Sequence, residues 1–365
     1  IFFFFLMLTS IVFSQTKEKY FVYFKDKGIP ENFILTKNSP EYLTAINLLS
    51  ERSIERRTKR SSMEQIVTYE DYPIKEEYID AITSLGLNIE RNLKWFNAVS
   101  IYLSEYEKNK LLLFPFVEKI EAVKIFKSPN DPQANFPTLS KAQQSTSGFN
   151  YGFSLAQNSI SEVPQVHAKG LSGEGVLIGV LDTGFDWRFH NAFRHLRVFR
   201  EYDFIERDTV TADTLGDRTG QQNHGTMVLS VMAGFDNGVL IGPAFNATFL
   251  LAKTENLRHE RRIEEDHYLA AIEWMENLGV DITSSSLGYS IFDPGEGDYR
   301  YSDMNGNTTI VTRAVNLAFQ RGVLTFTAAG NEGNSSWRFI IAPADAFNII
   351  SVGAVTSDNV IADFS

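Results

Sequence analysis

The 365-residue chain contains no cysteine. Disulfides and a thiol nucleophile are therefore excluded, and stability must come from a packed core. Positive charge is in short supply, with 34 Lys and Arg against 45 Asp and Glu and a formal net charge of −11. Nucleic-acid binders usually carry a basic face, so no nucleic-acid partner is expected. Histidine is scarce as well, at 6 residues. His190 and His195 stand five apart, with no acidic or cysteine partner to complete a zinc set, and they read as solvated loop residues. His259-Glu260 lacks the second His that a zinc protease helix needs three residues on. Long apolar runs are also missing. The run from Ile1 to Phe13 is shorter than the roughly 20 residues of a membrane-spanning helix, and no later segment is long enough. With Val12 and Ser14 at positions −3 and −1 of a cut before Gln15, it reads as the apolar core of a secretory signal peptide. A secreted or cell-surface location follows as the expectation.

What is present is an ordinary globular composition, 43% hydrophobic and 22% charged, long enough for two domains. From Lys17 to about Lys127, Tyr20-Phe21-Val22-Tyr23-Phe24 has the aromatic and β-branched content of a strand. Ser39-Pro40-Glu41 opens a helix, N-cap then Pro. It is expected to run through Leu48-Leu49 into Arg52, Arg56, Arg57, Lys59 and Arg60, a basic end that suits the helix dipole and reads as a solvated face. A processing or partner site is the sharper reading of that basic end. Helices near 75–85 and 105–112 and strands near 87–90, 96–103 and 117–124 complete the order. Without the basic helix, it is β-α-β-β-α-β, a ferredoxin-like α+β pattern. Residues 131–149 are rich in Pro, Ser, Gln and Thr and read as an exposed linker.

The second region, from residue 150 to 365, changes character. Gly175–Leu181 is a continuous apolar run, as are 247–252, 282–287, 323–328 and 349–355. Such runs suit strands buried on both faces. Helical stretches at 226–233, 263–278 and 309–321 lie between them, which predicts an α/β domain, a doubly wound parallel sheet with helices on both faces. Ligands of such sheets bind beyond the carboxyl ends of the strands. Asp182 and Asn331 directly follow strands, and His224 opens an apolar helix, so the three fall on one rim.

Each has an ordinary reading. Asp182 in Asp-Thr-Gly would suit an aspartic protease only with a second such turn to share the proton, and the chain has one. His224 could open its helix for packing, but the positive end of a helix suits a base that must be neutral before it acts. Asn331 after Ala328-Ala329-Gly330 is either a turn residue or an amide donor aimed at an oxyanion.

In combination, Asp182-Thr183-Gly184 after a strand, His224-Gly225-Thr226 opening a helix, Ser286-Leu287-Gly288 on a strand and Ala328-Ala329-Gly330-Asn331-Glu332-Gly333 resemble the subtilisin-like serine proteases. The order Asp, His, Ser is theirs. The resemblance covers about Tyr151 to Ser365. It implies that Asp182 orients the imidazole, His224 is the general base and Asn331 serves the oxyanion hole. Ser286, Leu287 and Gly288 would flank the P1 pocket opposite Ala328, Ala329 and Gly330, and the substrate backbone would pair along 286–288. Glu332 beside that pocket would favour a basic P1 side chain. The family's Gly-Thr-Ser nucleophile motif is absent from the sequence, and the last residues resemble the segment ahead of it. The expectation is a chain cut before the nucleophile and inactive as it stands, carrying a signal remnant (1–14), a propeptide (15–130), a linker with the processing site (131–149) and most of a catalytic domain (150–365). The propeptide would act as an intramolecular inhibitor, and protein or peptide chains would be the substrates. The alternative is a non-catalytic relative that only binds peptide segments. No cofactor is needed for the chemistry. A structural calcium ion is one reading of the acidic stretch Glu201–Asp217, which is expected to be a surface insertion. The short turn at 235–239 would take the place of the family's calcium loop.

Overall fold

The computed structural model describes residues 16–60, 66–127, 148–256, 262–289 and 299–365. The signal-like stretch, residues 128–147 of the linker region and His259-Glu260 lie outside them. In the first region, β1 (Glu18–Phe24) is followed by helices α1 (Pro40–Ile46), α2 (Glu51–Thr58) and α3 (Glu76–Thr83), hairpin strands β2 (Ile89–Leu93) and β3 (Ala98–Leu103), helix α4 (Glu105–Leu111), and strands β4 (Val117–Ala122) and β5 (Ile125–Lys127). The sheet order β2-β3-β1-β4, antiparallel throughout, is the ferredoxin-like arrangement expected. β1 is buried on both faces because both are covered. Tyr20, Val22 and Phe24 meet Ile82, Leu87 and Leu111, while Phe21 and Tyr23 point the other way into the core of the second region.

The second region holds short helices α5 (Leu155–Ile160) and α6 (Val163–Ala168), then β6 (Leu177–Asp182), β7 (Arg197–Asp203), α7 (Asn223–Ala233), a hairpin of β8 (Phe235–Asp236) and β9 (Leu240–Ile241), and β10 (Thr248–Lys253). β11 (Arg262–Glu264), α8 (Glu265–Asn277), β12 (Ile282–Ser285), α9 (Ile310–Gln320), β13 (Leu324–Ala328) and β14 (Ile350–Val352) follow. The six-stranded sheet runs β14-β13-β12-β6-β10-β7, parallel at every pairing. The central strand β6 is buried at all six positions. The edge strand β14 is not: Ile350 is 40% and Val352 49% exposed, so an apolar face stands uncovered by the described residues. No helix among the described residues is long and apolar enough to cross a membrane.

Three expectations need correction. The basic helix is two helices, because the Ser50 hydroxyl accepts the Ser53 N–H at 3.1 Å and starts α2 afresh. Two of its arginines are not solvated: Arg56 and Arg57 are 6% and 2% exposed, while Lys59 and Arg60 are exposed as expected. Arg57 donates to Glu276 Oε1 and Oε2 of α8 (2.8 and 2.6 Å) and to Asp71 (2.9 Å). Arg56 pairs with Glu276 as well, and Arg321 reaches Asp71 at 3.1 Å. Burial alone would raise both carboxyls. The guanidiniums of Arg321 and Arg57 on Asp71, and of Arg57 and Arg56 on Glu276, hold them below the ordinary range. Together with a buried Lys19–Asp266 pair at 2.9 Å, this network binds the first region to α8. The acidic insertion, finally, begins inside a strand. β7 takes Glu201 and Asp203 into the sheet edge, and both are buried.

Candidate active site

The strands β6, β12 and β13 end level, with Leu181 opposite Ser285 and Ser285 opposite Thr327. Asp182, Ser286 and Ala328 therefore come one step on, at the carboxyl rim. Asp182 is fully buried, and its Oδ1 accepts the Thr183 N–H at 2.7 Å. The same oxygen lies 2.6 Å from His224 Nδ1, while among the described residues its Oδ2 finds no donor. The His224 side chain is 22% exposed.

The flanking residues explain how this pair is held. Gly184 has φ +138°, and a Cβ there would lie 2.7 Å from the Thr211 carbonyl oxygen. Gly225 is in the first turn of α7. A Cβ on it would strike the Gly184 carbonyl and lie 2.9 Å from Asp182 Cβ, so only glycine lets the helix press against the strand end. Gly225 N–H donates to Thr183 Oγ1 at 3.4 Å, and Asp186 N–H donates to Thr226 Oγ1 at 2.8 Å. The Asp-Thr-Gly and His-Gly-Thr motifs thus bolt one turn to the other.

Asn331 follows Gly330, which has φ +119°, and is half-buried on the same rim. Ser286-Leu287-Gly288 lie immediately beyond β12 and not on it, since pairing with β6 and β13 stops at Ser285. Ser286 is exposed and Leu287 buried. Ala328 ends β13, and Ala329 continues it by donating to the Val352 carbonyl at 2.9 Å. The structure brings Asp182 and His224 into contact, and it sets Ser286 and Ala328 one step past the level pair Ser285 and Thr327 of β12 and β13 beside β6. What sequence reasoning missed is the edge at β11, where β5 of the first region adds as an antiparallel strand, Phe126 opposite Ile263. The only sequence signal for it was the apolar Ile125-Phe126 pair just past β4.

Lys253 Nζ sits 2.9 Å from both Asp203 and Asp217, and although burial disfavours its charge, these two carboxylates raise its pKa above the ordinary value. Glu201 accepts from Trp187 and Thr211 and pairs with Arg188. Among the described residues no three acidic or imidazole groups converge as a cation site. His190 and His195 are exposed.

Comparison with known proteins bears on the family and the fold. A model of the subtilase family (peptidase S8) matches residues 173–365, and one of the peptidase S8 propeptide domain of Bacteroidota matches residues 19–138. An alkaline protease of Alkalihalobacillus alcalophilus is 28% identical over 80% of this chain and 70% of its own length. Subtilisin E of Bacillus subtilis is 25% identical over 78% of this chain and 63% of its own. Among solved structures, the epidermin leader peptide processing serine protease of Staphylococcus aureus aligns over 96% of this chain and 72% of its own, with a TM-score of 0.57 and 17% identity. Fervidolysin of Fervidobacterium pennivorans aligns over 93% and 43%, with a TM-score of 0.55. These two share the fold. With the family model covering more than half of its length, the chain belongs to the subtilase family of serine peptidases, and an S8 propeptide domain precedes its catalytic domain.

Proposed function

We propose that the chain is the precursor of a secreted or cell-surface serine endopeptidase in which Asp182, His224 and a serine beyond Ser365 form the triad. The observation that carries this reading is the 2.6 Å contact between His224 Nδ1 and the buried Asp182 carboxylate. With Nδ1–H donated to Asp182, the tautomer is fixed and the lone pair is on Nε2. There it takes the proton of the serine hydroxyl as the hydroxyl attacks the scissile carbonyl, and later returns it to the leaving amine. Asp182 stabilises the imidazolium formed in between. Asn331 donates its amide N–H to the oxyanion, and the backbone at 286–288 and 328–330 aligns the substrate.

Two further observations support the reading. The sequence has no Gly-Thr-Ser, and the uncovered apolar face of β14 is what a further segment of a parallel sheet would cover. The propeptide-domain match and the pairing of β5 with the catalytic-domain strand β11 support an intramolecular inhibitor role for the first region. The test is expression of the complete reading frame. The full-length protein is expected to hydrolyse peptide bonds, and His224→Ala and residues 1–365 alone are not. A full-length protein that binds peptides without cutting them would replace this reading by a binding function.

A further inference from the structure

The proposed substrate slot is not empty. Beyond the ends of β12 and β13, the chain at Ile341-Ala342 crosses between the two flanking stretches. Ile341 N–H donates to the Ala329 carbonyl at 3.1 Å. Tyr289 and Ala342 exchange backbone hydrogen bonds of 2.8 and 3.3 Å. The Ile341 side chain, 4% exposed, is directed between Gly288 and Gly330. A Cβ on Gly330 would lie 2.9 Å from its Cδ1 and 3.0 Å from its Cγ1. A Cβ on Gly288 would overlap Cδ1 and lie 2.5 Å from Cγ1. Both glycines therefore yield their space to Ile341 and not to a ligand.

Resting on the proposed function, we infer that Ile341 sets the P1 specificity of this enzyme by filling the slot between Ser286–Gly288 and Ala328–Gly330, so that only Gly, Ala or Ser is accepted there. A Phe, Leu or Lys side chain would need the volume the isoleucine holds. The core around it is tied down by the two hydrogen-bonded flanks and does not give way cheaply. This overrides the basic preference that Glu332 suggests, because a lysine stem must pass the same plug.

The test uses the full-length protein and a set of peptides alike except at P1. Wild type is expected to cleave after Ala at least about 100-fold faster, by kcat/KM, than after Phe or Lys, since each methylene a pocket cannot admit is worth roughly 10–200-fold. Ile341→Gly should bring the Phe rate up to or past the Ala rate. Ile341→Ala, a smaller perturbation of the fold, should move the same ratio partway. Equal cleavage after Ala, Phe and Lys by wild type, or a ratio unmoved in variants still active on the Ala peptide, would overturn the inference. Calorimetric binding of product-like peptide acids ending in Ala or Phe reads the same slot without turnover. If hydrolysis is absent, the catalytic reading fails by itself. Tighter binding of the Ala acid that reverses in Ile341→Gly upholds the inference, and equal binding of both acids overturns it.

Discussion

Two sets of buried carboxylates do opposite work in this molecule. Glu276 and Asp71, where the propeptide meets α8, are saturated: Glu276 receives Arg56, Arg57 and the Ser53 hydroxyl, and Asp71 receives Arg57, Arg321 and the Thr68 N–H. Asp182 is as deeply buried, yet it has one backbone donor and one imidazole, with an oxygen left without a donor among the described residues. A carboxylate whose lone pairs are all taken can hold two domains together but has nothing left for a proton in transit. One paired with a partly open histidine at a sheet rim can answer a change of charge.

This contrast can be broken in order of effect. His224→Ala in the full-length protein should lower kcat by about 10⁶-fold, the size of the loss when the corresponding histidine of subtilisin, a member of the same family, is removed. The denaturation midpoint should stay near wild type. Glu276→Ala should do the reverse. It leaves Arg56 buried without the carboxylate it pairs with and Arg57 with Asp71 alone, and removing one partner of a buried pair costs about 3–5 kcal/mol. Urea denaturation of the unprocessed chain is expected to show that loss, with the Asp182–His224 geometry intact. Gly225→Ala should cost about 10²-fold in kcat/KM, because displacing α7 from the Asp182 turn by an ångström misaligns the base. An unchanged rate there would mean the glycine only eases packing.

The pH dependence sharpens the same comparison. Asp71 and Glu276 have folded pKa values below their unfolded ones. Their contribution is therefore complete above the unfolded carboxylate range, about pH 4, and is lost as pH falls below it. Glu265, raised to about 8 by burial, works in the other sense, its contribution shrinking as pH rises from about 4.5 through 8. Thermal scans of the unprocessed chain should accordingly show a midpoint that drops steeply from about pH 4.5 to pH 2. In Glu276→Ala that acid-side drop should be shallower.

How much of this was legible in the sequence follows from how local each signal is. Asp182-Thr183-Gly184 and His224-Gly225-Thr226 carry their geometry within three residues, and the apolar strands announce themselves as runs. Arg56 and Arg57 read as a solvated face because their partner Glu276 lies 219 or more residues away. β7, Arg-Val-Phe-Arg-Glu-Tyr-Asp, hid its strand character behind charge, as an edge strand with a polar face does. Ser286–Gly288 left the strand because pairing ended at Ser285, two residues before the end of the apolar run. Ile341 sits in a loop with no periodicity, and its position between two glycines appears only once β12 and β13 are laid side by side.

The central claim is that the Asp182–His224 pair activates a serine. Labelling of the full-length protein with a fluorophosphonate, read by peptide mass spectrometry, tests it most directly. The account predicts one modified serine, within a Gly-Thr-Ser sequence after residue 365, and its loss in His224→Ala. An unlabelled full-length protein, or labelling that survives His224→Ala undiminished, would contradict it.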